Sequence, residues 1–146
     1  MSSAVSDTAR RQVAERAYHV CEYCLIHEAD TFWGCQVDHI ISRKHGGTDE
    51  LANLAFACAI CNSKKGSDIA SLAGSPPRLT PLFHPRQDRW LNCFHLLGHL
   101  IDSVNEIGEA TVKLLQLNHP HRVEEREALS QAGRYPTIEA LAKMKE

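Results

Sequence analysis

Cys21-Glu22-Tyr23-Cys24 and, 33 residues further on, Cys58-Ala59-Ile60-Cys61 are the stretches on which the reading of this chain turns. Three chemistries use a Cys-x-x-Cys pair. A disulfide needs an oxidising compartment, and the opening Met1 to Arg11 lacks the apolar run of a signal peptide, so the expectation is a cytoplasmic chain with reduced thiols. A redox pair is single and sits beside a βαβ pattern that is absent here. Two knuckles together read as four thiolates closing a tetrahedral zinc site, the two-residue spacer letting both sulfurs of one knuckle reach an ion about 2.3 Å away. A site with four protein ligands has no open position, so this ion holds the fold and does no chemistry. Cys35 and Cys93 stand apart and read as small buried apolar side chains.

Outward from the knuckles, the chain has 146 residues with 43% hydrophobic and 23% charged side chains, which is enough for one modest globular core and excludes wholesale disorder. The longest apolar candidate, Trp90 to Ile101, carries His95 and His99 and falls short of the roughly 20 residues a membrane helix needs. A net charge of −2 argues against a simple nucleic-acid coat protein. The distribution is more informative: between Gln36 and Trp90 stand seven Lys/Arg (Arg43, Lys44, Lys64, Lys65, Arg78, Arg86, Arg89) against five acids, a locally basic stretch able to meet phosphate.

Local signals supply a scaffold. Ser6 or Asp7 caps a helix running to about Arg16, with Val13 and Ala17 on its inner stripe. Gln36 to Ile41 reads as a strand, Gly46-Gly47-Thr48-Asp49 as a turn, and Leu54 to Ala57 as the partner strand. A helix from the second knuckle to about Ala70 would expose Lys64 and Lys65, and Gly74-Ser75-Pro76-Pro77 breaks the chain. Beyond it come a hairpin around Gly98 over Phe94 to Val104, and a helix from about Glu109 to Leu117. Another helix opens at Pro120 and closes by Gly133, and a last one puts Ile138, Leu141 and Ala142 on one face.

The chemistry lies between the knuckles: Asp38-His39, Gly46-Gly47, Asn53-Leu54, then Cys61-Asn62-x-x-Lys65-Gly66. An Asp-His pair sets a hard oxygen ligand beside an imidazole able to take a proton from water. Adjacent strand residues point to opposite faces, however, so the two share a site only if the strand ends or twists there. Alone, each of these residues has a plain reading as surface pair, turn or cap; their order around a zinc ribbon is what points to a site.

These elements resemble the HNH nuclease family, whose ββα-metal motif is two strands and a helix around one divalent ion. The likeness runs from about Arg11 to Gly66. A looser likeness to a longer subfamily continues through Leu82-Phe83-His84-Pro85-Arg86, Trp90, Gly108-Glu109-Ala110-Thr111 and Leu117-Asn118. The implied architecture is α+β: a ββα-metal core with its zinc ribbon over residues 1–75, an N-terminal helix, and over 76–146 an extension of hairpin and helices packed on the core as one compact domain. The resemblance implies that His39 is the general base and that Asn53 braces the loop between the strands and helps orient the histidine. It further implies that Asp38 and Asn62 hold a catalytic Mg²⁺ or Mn²⁺. Cys21, Cys24, Cys58 and Cys61 hold structural Zn²⁺. Asn62 stands where the family often has histidine, and Cys93 where the longer subfamily usually does.

Arg43, Lys44, His45, Lys64, Lys65 and Arg86 are the candidate phosphate contacts, against a plain reading in which they are solvated. The expected activity is divalent-ion-dependent hydrolysis of phosphodiester bonds in DNA, RNA not being excluded, leaving 5′-phosphate and 3′-hydroxyl ends. A monomer would nick and a homodimer would cut both strands. The alternative is a zinc-ribbon nucleic-acid-binding module without cleavage; a third reading is a purely structural zinc protein.

Overall fold

Ser6 opens the first helix as expected: its side chain accepts from the Ala9 amide, and α1 runs Asp7–Arg16 with Val13 buried. The structure, a computed structural model, describes residues 5–146; residues 1–4, where the expected first unit begins, lie outside the described residues. After the first knuckle and a 3₁₀ turn at Glu28–Asp30, strand β1 (Cys35–His39) pairs antiparallel with β2 (Leu54–Cys58). The register sets Asp38 opposite Ala55 and His39 opposite Leu54. Helix α2 (Ala59–Lys65) follows β2 without a break, because Cys58 ends the strand and is also the helix N-cap.

The extension adds two more two-stranded sheets. Strand β3 (Ala70–Ala73) pairs with β4 (Arg78–Pro81), and after the short helix α3 (Trp90–Cys93), β5 (Phe94–Leu97) pairs with β6 (Leu100–Ser103). Helices α4 (Glu106–Leu115), α5 (Pro120–Gln131) and α6 (Ile138–Met144) complete the chain. One buried cluster reaches from Val20 and both knuckles through Phe83, Trp90 and Phe94 to Leu117, Tyr135 and Met144, while a smaller one joins Val13 and Ala17 to Leu54 and Phe56. Aromatic edges hold the larger cluster, with Phe83 and Phe94 centroids 5.3 Å apart and the Trp90 indole N–H donating to the Tyr23 carbonyl at 3.1 Å. Among the described residues, no helix is long and apolar enough to cross a membrane.

Several expectations are corrected. The helix after the second knuckle stops at Lys65, not Ala70, because Gly66 takes φ +53° with ψ −131°, a conformation open to glycine. The residues expected at its end form β3, and the Gly74-Ser75-Pro76-Pro77 break is the turn of a hairpin. Strand β1 ends at His39, two residues early, and α4 begins at Glu106, three residues early, because Asn105 caps it by accepting from Gly108 N at 2.8 Å. The last helix buries Ala140 and Met144, whereas Ile138 is 83% exposed; apolar spacing over seven residues does not choose the inward face without its neighbours.

The loop between β1 and β2 makes its tightest approach at Gly47. A Cβ there would come 1.7 Å from the Ile41 carbonyl oxygen and 2.9 Å from Asn53 Nδ2, both part of the tie that closes the loop. Gly47→Ala should therefore cost upward of about 1 kcal/mol and disturb the loop carrying Asp49. A lowered urea midpoint checks this, and an unchanged one contradicts it.

Candidate functional site

The two knuckles meet as the spacing requires. The four Sγ atoms of Cys21, Cys24, Cys58 and Cys61 all lie within 4.8 Å of one another, and all four residues are buried. The Cys24–Cys58 separation is 3.8 Å, matching the roughly 3.8 Å between sulfurs of a tetrahedral zinc with bonds of about 2.3 Å. Within each knuckle the fourth residue's amide donates back to the first sulfur, Cys24 N to Cys21 Sγ at 3.5 Å and Cys61 N to Cys58 Sγ at 3.4 Å. The donor set fits zinc, and these four thiolates would hold it with no position open to substrate.

Arg122, on α5, lay outside the sequence reading and completes this centre. Its guanidinium is almost fully buried and donates through Nη2 to Cys24 Sγ at 3.0 Å and Cys58 Sγ at 3.6 Å. Burial pulls Arg122 down, but the charge of the cysteine cluster outweighs it and leaves the group raised. Hydrogen bonds from Cys21, Cys24 and Cys61, with Arg122 nearby, hold the Cys58 thiol far below its ordinary value. Tyr135 adds a second tie, its hydroxyl donating to the Cys24 carbonyl at 2.8 Å.

The edge of β1 presents Asp38 and His39 to different surroundings. His39 faces the loop side, where Nε2 stands 2.8 Å from Asp49 Oδ1, and Arg43 Nε donates to the same oxygen at 2.9 Å. These bonds, His39 first, hold the Asp49 carboxyl below its ordinary value. Asp49 was not singled out from sequence because a Gly-Gly-Thr-Asp turn carries no ligand or base spacing. Asn53 works on the same loop: Oδ1 accepts from Ile41 N at 2.9 Å, while Nδ2 donates to Ile41 O at 2.8 Å and Thr48 O at 2.7 Å. It closes the loop as a strand partner would, and the side-chain partner that orients His39 is Asp49.

Asp38 turns inward and is 4% exposed. It accepts from the Tyr23 hydroxyl at 3.1 Å, and Lys65 Nζ lies 3.3 Å from Oδ1 and 3.2 Å from Oδ2. Burial raises the Asp38 carboxyl above its ordinary value, a shift that Lys65 and Tyr23 only partly offset. Asn62 faces the same side of β1, donating to Gln36 Oε1 at 2.6 Å. Asp38 and Asn62 thus share a face, but the carboxylate is already neutralised by an ammonium. As folded, this pair does not fit a divalent ion.

The candidate phosphate contacts divide. Lys44, His45 and Lys64 are exposed, His45 Nε2 lying 3.1 Å from the Ser67 carbonyl, and Arg43 is half-buried beside Asp49. Lys65, expected on the solvated face of α2, is 2% exposed: it ends the helix, and its stem folds under toward Asp38. Arg86 is likewise drawn inward, pairing with the buried Glu22 carboxylate. Neither is free to meet a backbone phosphate, because a buried carboxylate left without its cation is costlier than a lost surface contact.

Residues 21–68, from the first knuckle to just past α2, match the family model described as HNH endonuclease. No curated protein matches the chain. No solved structure matches it.

Structural zinc contributes about 10–16 kcal/mol of folding free energy in small metal-dependent domains, as much as the whole net stability of an ordinary domain, about 5–15 kcal/mol. Cys58→Ser should therefore yield an unfolded or aggregated chain, and elemental analysis of the wild-type protein should find about one zinc per chain. A folded wild-type protein free of metal contradicts this.

Proposed function

We propose that the chain is an endonuclease that hydrolyses phosphodiester bonds in DNA, nicking one strand, with His39 as the general base. The observation that carries this reading is the His39–Asp49 pair, held on a loop braced by Asn53, inside the segment that matches the HNH endonuclease family. If Nε2–H donates to Asp49, the lone pair is on Nδ1, ready to take a proton from water. Asp49 then steadies the imidazolium that forms, the part a carboxylate plays behind a catalytic histidine elsewhere. The water oxygen attacks phosphorus, its proton passes to His39, and the phosphorus–oxygen bond to the 3′ oxygen breaks. That oxygen takes a proton from solvent water to leave as the 3′-hydroxyl, and His39 later releases its proton to solvent. The order β1, β2, α2 supports a ββα-metal core. Lys44, His45 and Lys64, exposed around the site, would contact the backbone on either side of it.

The pairing of Asp38 with Lys65 favours one second reading, a zinc-ribbon module that binds nucleic acid without cutting it. Supercoiled plasmid incubated with Mg²⁺, Mn²⁺ or EDTA separates the two. The nuclease produces open circles with a divalent ion and none with EDTA, whereas the binding module retards the plasmid and leaves it supercoiled.

In the nuclease, His39→Ala should keep its fold and its DNA affinity, since β2 and not His39 fills the core beneath the strand, while nicking falls by roughly 10²–10⁴-fold. Nicking at the wild-type rate removes the base assignment. Lys44 and Lys64 changed together to Ala should weaken binding at every DNA sequence and flatten the salt dependence by about one to two units of slope; an unchanged slope returns both to the solvated surface.

A further inference from the structure

Phe32 and Trp33 stand on the segment between the 3₁₀ turn at Glu28–Asp30 and β1, and both are turned away from the core, Phe32 at 84% and Trp33 at 71% exposed. Their rings meet edge to face with centroids 4.5 Å apart, so each steadies the other outside the protein. The backbone on either side is tied down. The Thr31 hydroxyl donates to the Glu28 carbonyl at 3.0 Å, and the Ala59 amide donates to the Gly34 carbonyl at 3.2 Å. A single exposed apolar side chain is ordinary, but two adjacent aromatic rings in water mark a contact surface.

Beside the pair opens a small hollow whose walls include Ile60, Arg122 and Glu125, the last two ion-paired at 2.8 Å. Ile60 and Arg122 are shared with a larger hollow of about 330 Å³, lined also by Lys64, Gln116, His119 and His121. Among the described residues, no carboxylate lines this larger hollow. Lys64 is exposed, four residues after Ile60 on the same face of α2. His119 caps α5 by accepting from the His121 amide through Nδ1 at 3.1 Å, so the neutral ring carries its proton on Nε2 and is a donor there. The first turn of α5 adds the partial positive charge of a helix N-terminus. The cleft of about 180 Å³ beside Ile40 and Ile41 has the opposite character: Asp68 and Asp88 line it, and the charge of Lys65 is spent on Asp38.

We propose that Phe32 and Trp33 are a stacking platform for unpaired bases, and that the phosphates of the same strand lie along the hollow of Lys64, His119 and His121. Every base has a π-face, so aromatic rings beside a groove of donors and cations hold a single strand without reading its sequence. Inside a duplex those faces are already covered by the neighbouring pairs. The substrate is therefore DNA that carries a single-stranded stretch. This deepens the nuclease reading and rests on it for the nucleic acid alone. Trp33 comes six residues before His39, at most about 20 Å along an extended chain, so the unpaired stretch lies near the site of cleavage.

The test uses the full zinc-loaded chain, with single-stranded oligo(dT) and an abasic deoxyribose-phosphate oligomer of the same length as probes. Wild type should bind oligo(dT) about tenfold or more tightly than the abasic oligomer, and Phe32→Ala with Trp33→Ala should bring the two affinities together. Equal affinities in the wild type, or a preference that survives in the variant, overturn the proposal. Lys64→Ala with His119→Ala should weaken binding of both probes alike, and unchanged binding overturns the phosphate path. A direct readout comes from the wild type alone. Of its two tryptophans Trp90 is buried, so acrylamide quenches Trp33 emission selectively, and oligo(dT) but not the abasic oligomer should shield it. Shielding by neither probe, or by both alike, also overturns the proposal. So does a dimer formed without DNA that shields Trp33, since the pair would then face a second copy of the chain. A plasmid left uncut while the oligo(dT) preference holds sinks the nuclease reading instead.

Discussion

The meeting of Cys21 and Cys24 with Cys58 and Cys61 is the constraint on which the rest of the molecule depends. The two knuckles are separated by 33 residues that contain β1, the loop and β2, so their union closes that segment at both ends. Cys58 is at once a sulfur of the cluster, the last residue of β2 and the N-cap of α2. Its position sets where the helix starts and, through the helical period, which of its residues face β1. Asn62 meets Gln36 and Lys65 meets Asp38 because α2 begins where the four-cysteine cluster puts it.

The same centre explains why the extension is no appendage. Four thiolates around a divalent ion carry a net negative charge, and their buried surroundings need a donor to offset it. Arg122 provides one from α5, and Tyr135 ties the backbone of the first knuckle to the turn before α6. Glu22, inside that knuckle, is fully buried and receives Lys143 at 3.1 Å as well as Arg86. A knuckle holding a buried carboxylate and two thiolates requires cations from elsewhere in the chain, and residues 86 to 143 deliver three of them.

At the candidate active site the period of a strand governs the chemistry. Successive side chains leave β1 on opposite faces, so Asp38 enters the wall between strand and helix while His39 reaches the loop with Asp49 and Arg43. The end of the strand at His39 does not bring the two side chains together. It frees Ile40 and Ile41 to pass over to the cleft, and lets Asn53 take up the backbone of Ile41 where a strand partner would have been.

Short-range features of this protein were legible in the sequence. The knuckles, the cap at Ser6, the paired strands, the hairpin at Gly98 and the helix opening at Pro120 each depend on spacing or on the conformational preference of a few adjacent residues. The four-cysteine cluster and the HNH resemblance followed from the same local order. What tertiary structure alone decided is which charged side chains are spent inside. Lys64 and Lys65 are neighbours of one type, yet one is solvated and the other is buried against Asp38; Arg43 stays near the surface while Arg86 goes to Glu22. Periodicity cannot separate such pairs, because a basic residue turns inward only when a buried carboxylate awaits it, and that carboxylate is brought there by contacts 27 and 64 residues away along the chain.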